Sequence, residues 1–298
     1  MTIAVEVPSS SATTRIANAL LAAIEPGESS GCPPLLAAAI RDAVFPGGAR
    51  VRPRLVLAVA QACGDDCPSI TDATAASIEL LHCASLVHDD MPCFDAAPTR
   101  RGKPAVHVAF GERLALLAGD AMIVLAFEAL AGACAPAPER LARLLRIIGG
   151  GVGTSGGIVA GQAWECESTA VLSTYQRAKT GALFAAATMA GAAAAGVAAT
   201  QPWAALGARI GEAYQVADDI LDVIGSAAAL GKPTGRDAAL GRLSAVQEFG
   251  LDGAVQTLKR LVREAVESIP DCAGADMLRA VILAQAQDHI PNDMLQAA

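Results

Sequence analysis

Only 3% of the 298 residues are aromatic, and histidine occurs four times, so the apolar interior must be built mainly from alanine and leucine. Segments of alternating polarity that would read as strands are lacking, which argues against a sheet-based fold. Positive charge is scarce as well. The chain carries 22 Lys and Arg against 30 Asp and Glu, for a net charge of -8. Nucleic acid rewards a broad basic face, so it is excluded as a partner. Any anionic ligand must be held by a local cluster of cations. The N-terminus, MTIAVEVPSSS, has no charged segment leading into a hydrophobic one, so no secretory leader is expected. The eight cysteines lie mostly in apolar stretches, which points to reduced thiols and a cytoplasmic location. Cys63 and Cys67 have no second pair at zinc spacing and read as part of a turn.

What is present is helix. Stretches such as TRIANALLAAI, ATAASIELLHCASLVHDD, RLALLAGDAMIVLAFEAL and PWAALGARIGEAYQVADDILDVIG place apolar residues three and four apart. Gly- and Pro-rich punctuation between them predicts an all-α helical bundle forming one domain over residues 1–298, with residues 1–10 a flexible N-terminus. The uncharged run Gly181 to Thr200 is long enough to span a bilayer. Its Ala and Gly content predicts a tightly packed central helix instead, and the protein is not expected to be an integral membrane protein. GVGTSG at Gly151 to Gly156 fits a dinucleotide pattern but has no preceding strand, so its glycines are expected at close helix contacts.

The charged residues gather in a few places. HDDMPCFDAAPTRRGKP, from His88 to Pro104, places Asp89, Asp90 and Asp95 just ahead of Arg100, Arg101 and Lys103. A second acidic group, Asp218, Asp219 and Asp222, sits in YQVADDILDV, where spacings of three and four put the side chains on one helix face. A single triplet of this kind would read as a solvated helix face. Two, each in an apolar helix, suggest hard cations such as magnesium, which bridges carboxylates to substrate phosphates. Arg50, Arg52, Arg100, Arg101, Lys179 and Lys232, all in turns or at helix ends, would then grip the phosphates from the other side.

These two motifs, together with PGGARVRP, ELLHCASL, LLAGDA, VAGQAWE, RAKTGALF and LGKPTGRD, resemble the trans-isoprenyl diphosphate synthases, most closely the bacterial geranylgeranyl diphosphate synthases of carotenoid pathways. The resemblance runs from about Leu35 to the C-terminal helices, with the motifs in the family's order. It implies an all-α bundle around a deep central cavity and a homodimer. It also implies three magnesium ions, with Asp89, Asp90, Asp95, Asp218 and Asp222 as ligands and Asp219 completing the second motif. Arg100, Lys179, Thr180, Gln215 and Lys232 match ligands of the allylic diphosphate. Arg52, His82 and Arg101 match those of isopentenyl diphosphate. The implied reaction is ionisation of the allylic diphosphate, attack by the isopentenyl double bond and loss of a proton, with no side-chain nucleophile.

The chain departs from the family at three places. Ala49 stands where the family commonly has Lys, with Arg50 the candidate substitute; Ala96 replaces an acid after Asp95; and Arg242 replaces a Lys. Ala84 and Ser85 lie one helical turn before Asp89 and are small, so the gate to the growing tail is expected to be open and the product to be geranylgeranyl diphosphate. On this reading, an aromatic residue at Ala84 would shorten the product. The two-residue insertion Pro92 and Cys93 in the first motif points the same way by resemblance. Alternatives are a farnesyl diphosphate synthase, a two-metal phosphohydrolase suggested by His88 and Asp89, and a non-catalytic subunit of a heteromeric synthase. The phosphohydrolase would need more histidine ligands, and His107 and His289 lack a suitable context. The non-catalytic subunit would be expected to lose one of the acidic motifs.

Overall fold

The computed structural model describes residues 9–28, 31–45, 47–167, 177–224 and 244–288. Twelve α-helices occur among them: α1 (Ser9–Ile24), α2 (Pro34–Val44), α3 (Val51–Ala62), α4 (Pro68–Asp89), α5 (Val106–Phe110), α6 (Glu112–Ala133), α7 (Pro138–Val152), α8 (Ile158–Ala163), α9 (Ala182–Ala194), α10 (Trp203–Ile224), α11 (Ala245–Glu267) and α12 (Ala275–Asp288). Proline opens α2, α4 and α7, where its fixed φ suits the first turn and its missing N–H has no helical partner to lose. The 63–67 segment is a turn between α3 and α4, and all eight cysteines are free thiols.

Helix α9 is the centre of the bundle, packed against α3, α4, α7 and α10, with Leu183, Phe184, Ala187, Ala190 and Ala193 fully buried. The run that could have passed for a membrane span is thus an interior helix. Its small side chains let neighbours come close. A Cβ on Gly151 of α7 would lie 2.5 Å from Ala186 Cβ, so this glycine of GVGTSG does serve a helix contact. Gly156 instead has φ +101° and open space around it, which makes it a turn residue. The main core joins α1, α2, α4, α6, α7 and α9. Fully buried Ile78, Leu80 and Met122 each contribute about 1.5–3 kcal/mol there.

One helix among the described residues, α6, is long and apolar enough by composition to cross a membrane. It packs along α4 on one side and exposes Leu116, Leu117 and Val124 on the other.

The expected absence of strands needs one correction. Thr99–Arg100 (β1) and Lys103–Pro104 (β2) form a two-residue antiparallel hairpin. Arg101 and Gly102 between them both have positive φ, which is the pattern of a tight two-residue hairpin loop. Strands this short carry no readable alternation.

Candidate active site

Asp89 ends α4 and Asp90 caps it, both buried. The chain then folds back on the helix end. The Asp95 N–H donates to the Asp89 carbonyl (3.0 Å), and the Ala97 N–H donates to the Asp90 carbonyl (3.1 Å). Ala96 reaches this return in a left-handed conformation, φ 48°. The longer motif is therefore a compact loop that brings Asp95 back to the foot of α4.

The hairpin supplies the facing cations. Arg100 holds both carboxylate oxygens of Asp90, its Nε donating at 3.1 and 3.0 Å while its Nη2 bonds Oδ1 as well. Desolvation works against the Arg100 charge, but the bonds to Asp90 outweigh it and raise its pKa. Desolvation also lifts the Asp89 pKa above the ordinary carboxylate value, with Lys179 acting in opposition. Lys179 lies in a π-helical turn, Arg177–Gly181, and its Nζ donates to Asp89 Oδ1 (3.0 Å) and to Glu165 Oε1 (2.8 Å).

The same turn reaches the second acidic motif. Thr180 Oγ1 donates to Gln215 Oε1 (3.4 Å), and Gln215 Nε2 donates to Asp219 Oδ1 (3.0 Å). Adjacent residues of one turn thus connect Asp89 with Asp219, motifs far apart in sequence. Asp219 is buried, and its Oδ2 accepts from the Ala245 N–H (2.8 Å) at the start of α11. Asp218 and Asp222 on the same helix are only part-buried.

A second cation group lies between α3 and α4. Arg52 Nη1 is 3.4 Å from His82 Nε2, and its guanidinium stands 4.3 Å from the Phe184 ring centroid. Phe184 in turn meets Tyr214 at 5.4 Å. Desolvation, then the charges of Arg52, Arg101, Arg100 and Arg50, hold the His82 pKa well below its usual value, so His82 is neutral. Among the described residues neither Arg52 nor Arg101 makes an ion pair. Two cations without carboxylate partners, beside an imidazole that can still donate, form a binding place for an anion.

Not every expected residue joins this group. Arg50 bonds Glu79 (Nη1 to Oε1, 2.5 Å) and the Val44 carbonyl inside the protein, so it does not stand in for the cation that Ala49 lacks. Ala49 itself is exposed. Ala84 is 1% exposed in the main core, whereas Ser85 is only half-buried. Lys232 and Arg242 lie outside the described residues.

Two residues of VAGQAWE were missed from sequence. Gln162 Nε2 donates to the Ser85 carbonyl (3.1 Å) and reaches Asp89 Oδ1 (3.5 Å), and Glu165 shares Lys179 with Asp89. The available signal was polar residues in an otherwise apolar segment that belongs to the family pattern. An apolar pocket is walled by Tyr214, Val51, Ile210, Leu258, Val262 and Ile282.

The donor chemistry fits magnesium. The acidic motifs offer hard carboxylate oxygens, and among the described residues no three Asp, Glu, His or Cys side chains converge to hold an ion alone. Such oxygens suit an ion that completes its shell with water and phosphate oxygens.

Comparison with known proteins agrees with the geometry. The family model described as polyprenyl synthetase matches residues 33–279. The chain is 53% identical over 277 residues to a geranylgeranyl diphosphate synthase of Cereibacter sphaeroides, covering 93% of this chain and 96% of that one. It is 52% identical over 268 residues to the geranylgeranyl diphosphate synthase of Rhodobacter capsulatus, covering 90% and 92%. A geranyltransferase from Helicobacter pylori, solved in complex with magnesium and isoprenyl diphosphate, superposes with a TM-score of 0.77 at 29% identity, covering 93% of this chain and 98% of that one. The chain belongs to the polyprenyl synthetase family, and its fold is the all-α fold of the isoprenoid synthases.

Proposed function

We propose that the protein is a geranylgeranyl diphosphate synthase that adds isopentenyl diphosphate head-to-tail to dimethylallyl, geranyl and farnesyl diphosphates. The observation that carries the reading is the connection from Asp89 through Lys179, Thr180 and Gln215 to Asp219, which gathers both acidic motifs around one cationic turn. Relatives at 52–53% identity bearing that name support the C20 product.

Each side chain has a task in this scheme. Lys179, Thr180, Gln215 and Arg100, with Lys232, hold the allylic diphosphate, while Arg52, Arg101 and neutral His82 hold that of isopentenyl diphosphate. The carboxylates that would hold magnesium are Asp89, Asp90, Asp95, Asp218 and Asp222, with three ions in all, and the chemistry it supplies when bound is neutralisation of the leaving diphosphate. The ion pairs of Arg100 with Asp90 and of Lys179 with Asp89 hold both cations beside the carboxylates, which supports their role in gripping a diphosphate. The allylic C–O bond breaks with its electron pair leaving on the diphosphate. The isopentenyl double bond then forms the new C–C bond, and a proton departs to the released diphosphate. No protein nucleophile takes part. Fixed positioning of two substrates, rather than covalent catalysis, is the protein's contribution.

The partner of the α6 face is a second copy of this chain. Leu117 and Val124 stand seven residues apart on one side of α6, with Leu116 beside them, all exposed in the single chain. An isologous homodimer would cover this face with itself. Eight free thiols suit the reducing cytoplasm.

The functional reading is tested by diphosphate release from isopentenyl and farnesyl diphosphates, with magnesium and with the metal chelated. Release that needs magnesium and both substrates is the expected result. Release of inorganic phosphate from nucleotides, with no such reaction, would favour the phosphohydrolase instead.

A further inference from the structure

Among the described residues, Glu79 is the one acid buried on the isopentenyl side of the site, 2% exposed and one helical turn before His82 on α4. Its Oε1 accepts from Arg50 Nη1 at 2.5 Å, and the other end of that guanidinium bonds the Val44 carbonyl at the end of α2. Arg50 therefore ties α2 and α4 to the residue that begins α3. It does so in a left-handed conformation, φ 52° and ψ 37°, which non-glycine residues seldom adopt without tertiary support.

The preceding glycines fit the same arrangement. A Cβ on Gly47 would lie 2.0 Å from Arg50 Nε, and one on Gly48 would lie 3.0 Å from Arg101 Nε. The 47–50 turn thus seats one arginine that points inward and another that faces the site. Two residues past Arg50, Arg52 is launched from the first turn of α3 toward His82. Glu79 also sets a negative charge near Arg52, against the repulsion of Arg101.

We infer that Glu79 is a positioning residue for the isopentenyl diphosphate subsite: through Arg50 it fixes the left-handed turn that aims Arg52 at His82. This rests on the assignment of Arg52, His82 and Arg101 to that substrate. The pair gives Arg50 a role other than phosphate binding. It also accounts for a strained turn at an arginine rather than a glycine.

The test is a KM split in steady-state kinetics with both substrates varied. Glu79→Gln keeps the size of the side chain and removes its charge. It is expected to raise KM for isopentenyl diphosphate on the order of tenfold and to leave KM for farnesyl diphosphate within about twofold. A merely structural role would move both constants together, and that result would overturn the inference. If Glu79→Gln does not fold, the double variant Arg50→Met with Glu79→Leu, which leaves no stranded charge, is read in the same way. A folded double variant with wild-type KM for isopentenyl diphosphate also overturns it. Wild-type protein assayed alongside separates the two claims. An inactive wild type removes the functional reading itself, whereas an active wild type with an indifferent variant removes only the role of Glu79.

Discussion

The side-chain amide of Gln162 donates to the main-chain carbonyl of Ser85 across 3.1 Å, joining α8 to the turn of α4 just before Asp89. Ser85 is half-buried at this junction, whereas its neighbour Ala84 is packed into the main core. The two residues expected to gate the product are therefore not equivalent.

Ser85→Phe should shorten the main product from C20 to C15, read by chromatography of the dephosphorylated prenols. Ala84→Phe should act first on stability. Overpacking a fully buried alanine costs about 1–3 kcal/mol, which a thermal melt would register. A stable Ala84→Phe enzyme making C15, beside a Ser85→Phe enzyme making C20, would assign the gate to Ala84.

His82 gives a pH prediction. Its folded-state pKa is depressed, by desolvation and then by the surrounding arginines. As pH falls through about 6.5, the unfolded chain takes up a proton at His82 that the folded chain refuses. The unfolded state then binds more protons, so stability rises with pH in this window. The contribution is present above the unfolded pKa and is lost as the solution turns acid. His82→Gln should flatten this part of the curve, measured by urea denaturation between about pH 5 and about pH 7. Equal slopes for wild type and variant would contradict the buried, neutral imidazole.

The two neighbouring aspartates of the second motif should separate. Asp219 accepts from Gln215 and from the Ala245 N–H, so Asp219→Asn places an amide where an acceptor is needed. A loss of about 1–3 kcal/mol of stability is expected. Asp218→Asn should lower kcat on the order of a hundredfold, as removal of a group acting on developing charge does. Thermal melts and steady-state rates on both variants check the contrast.

The exposed side of α6 predicts the assembly. Val124→Glu places a charge in the middle of the proposed dimer face and should yield monomers in sedimentation velocity at concentrations where wild type is dimeric. A wild type that sediments as a monomer would refute the interface.

Much of this site was legible in the sequence. Asp89, Asp90, Asp218 and Asp219 declared themselves by spacing within apolar helices, and the helical periods gave the fold class. Side-chain direction was less visible. Arg50 reads as a free cation until Glu79, distant in the chain, is placed beside it, and Ala84 and Ser85 look alike until one faces the core. The return loop at Ala96 depends on main-chain bonds to Asp89, Asp90 and Met91, which no periodicity encodes. The run from Gly181 to Thr200 read as long enough to span a bilayer, yet among the described residues α6 is the helix that meets the length and hydropathy of a span, because α9 ends at Ala194.

The central claim is tested most directly by incubating the protein with magnesium, isopentenyl diphosphate and each allylic primer in turn, then separating the dephosphorylated products by chain length. Geranylgeraniol as the main alcohol from all three primers is the predicted result. No prenyl product from any primer, or chains that stop at C15, would contradict the account.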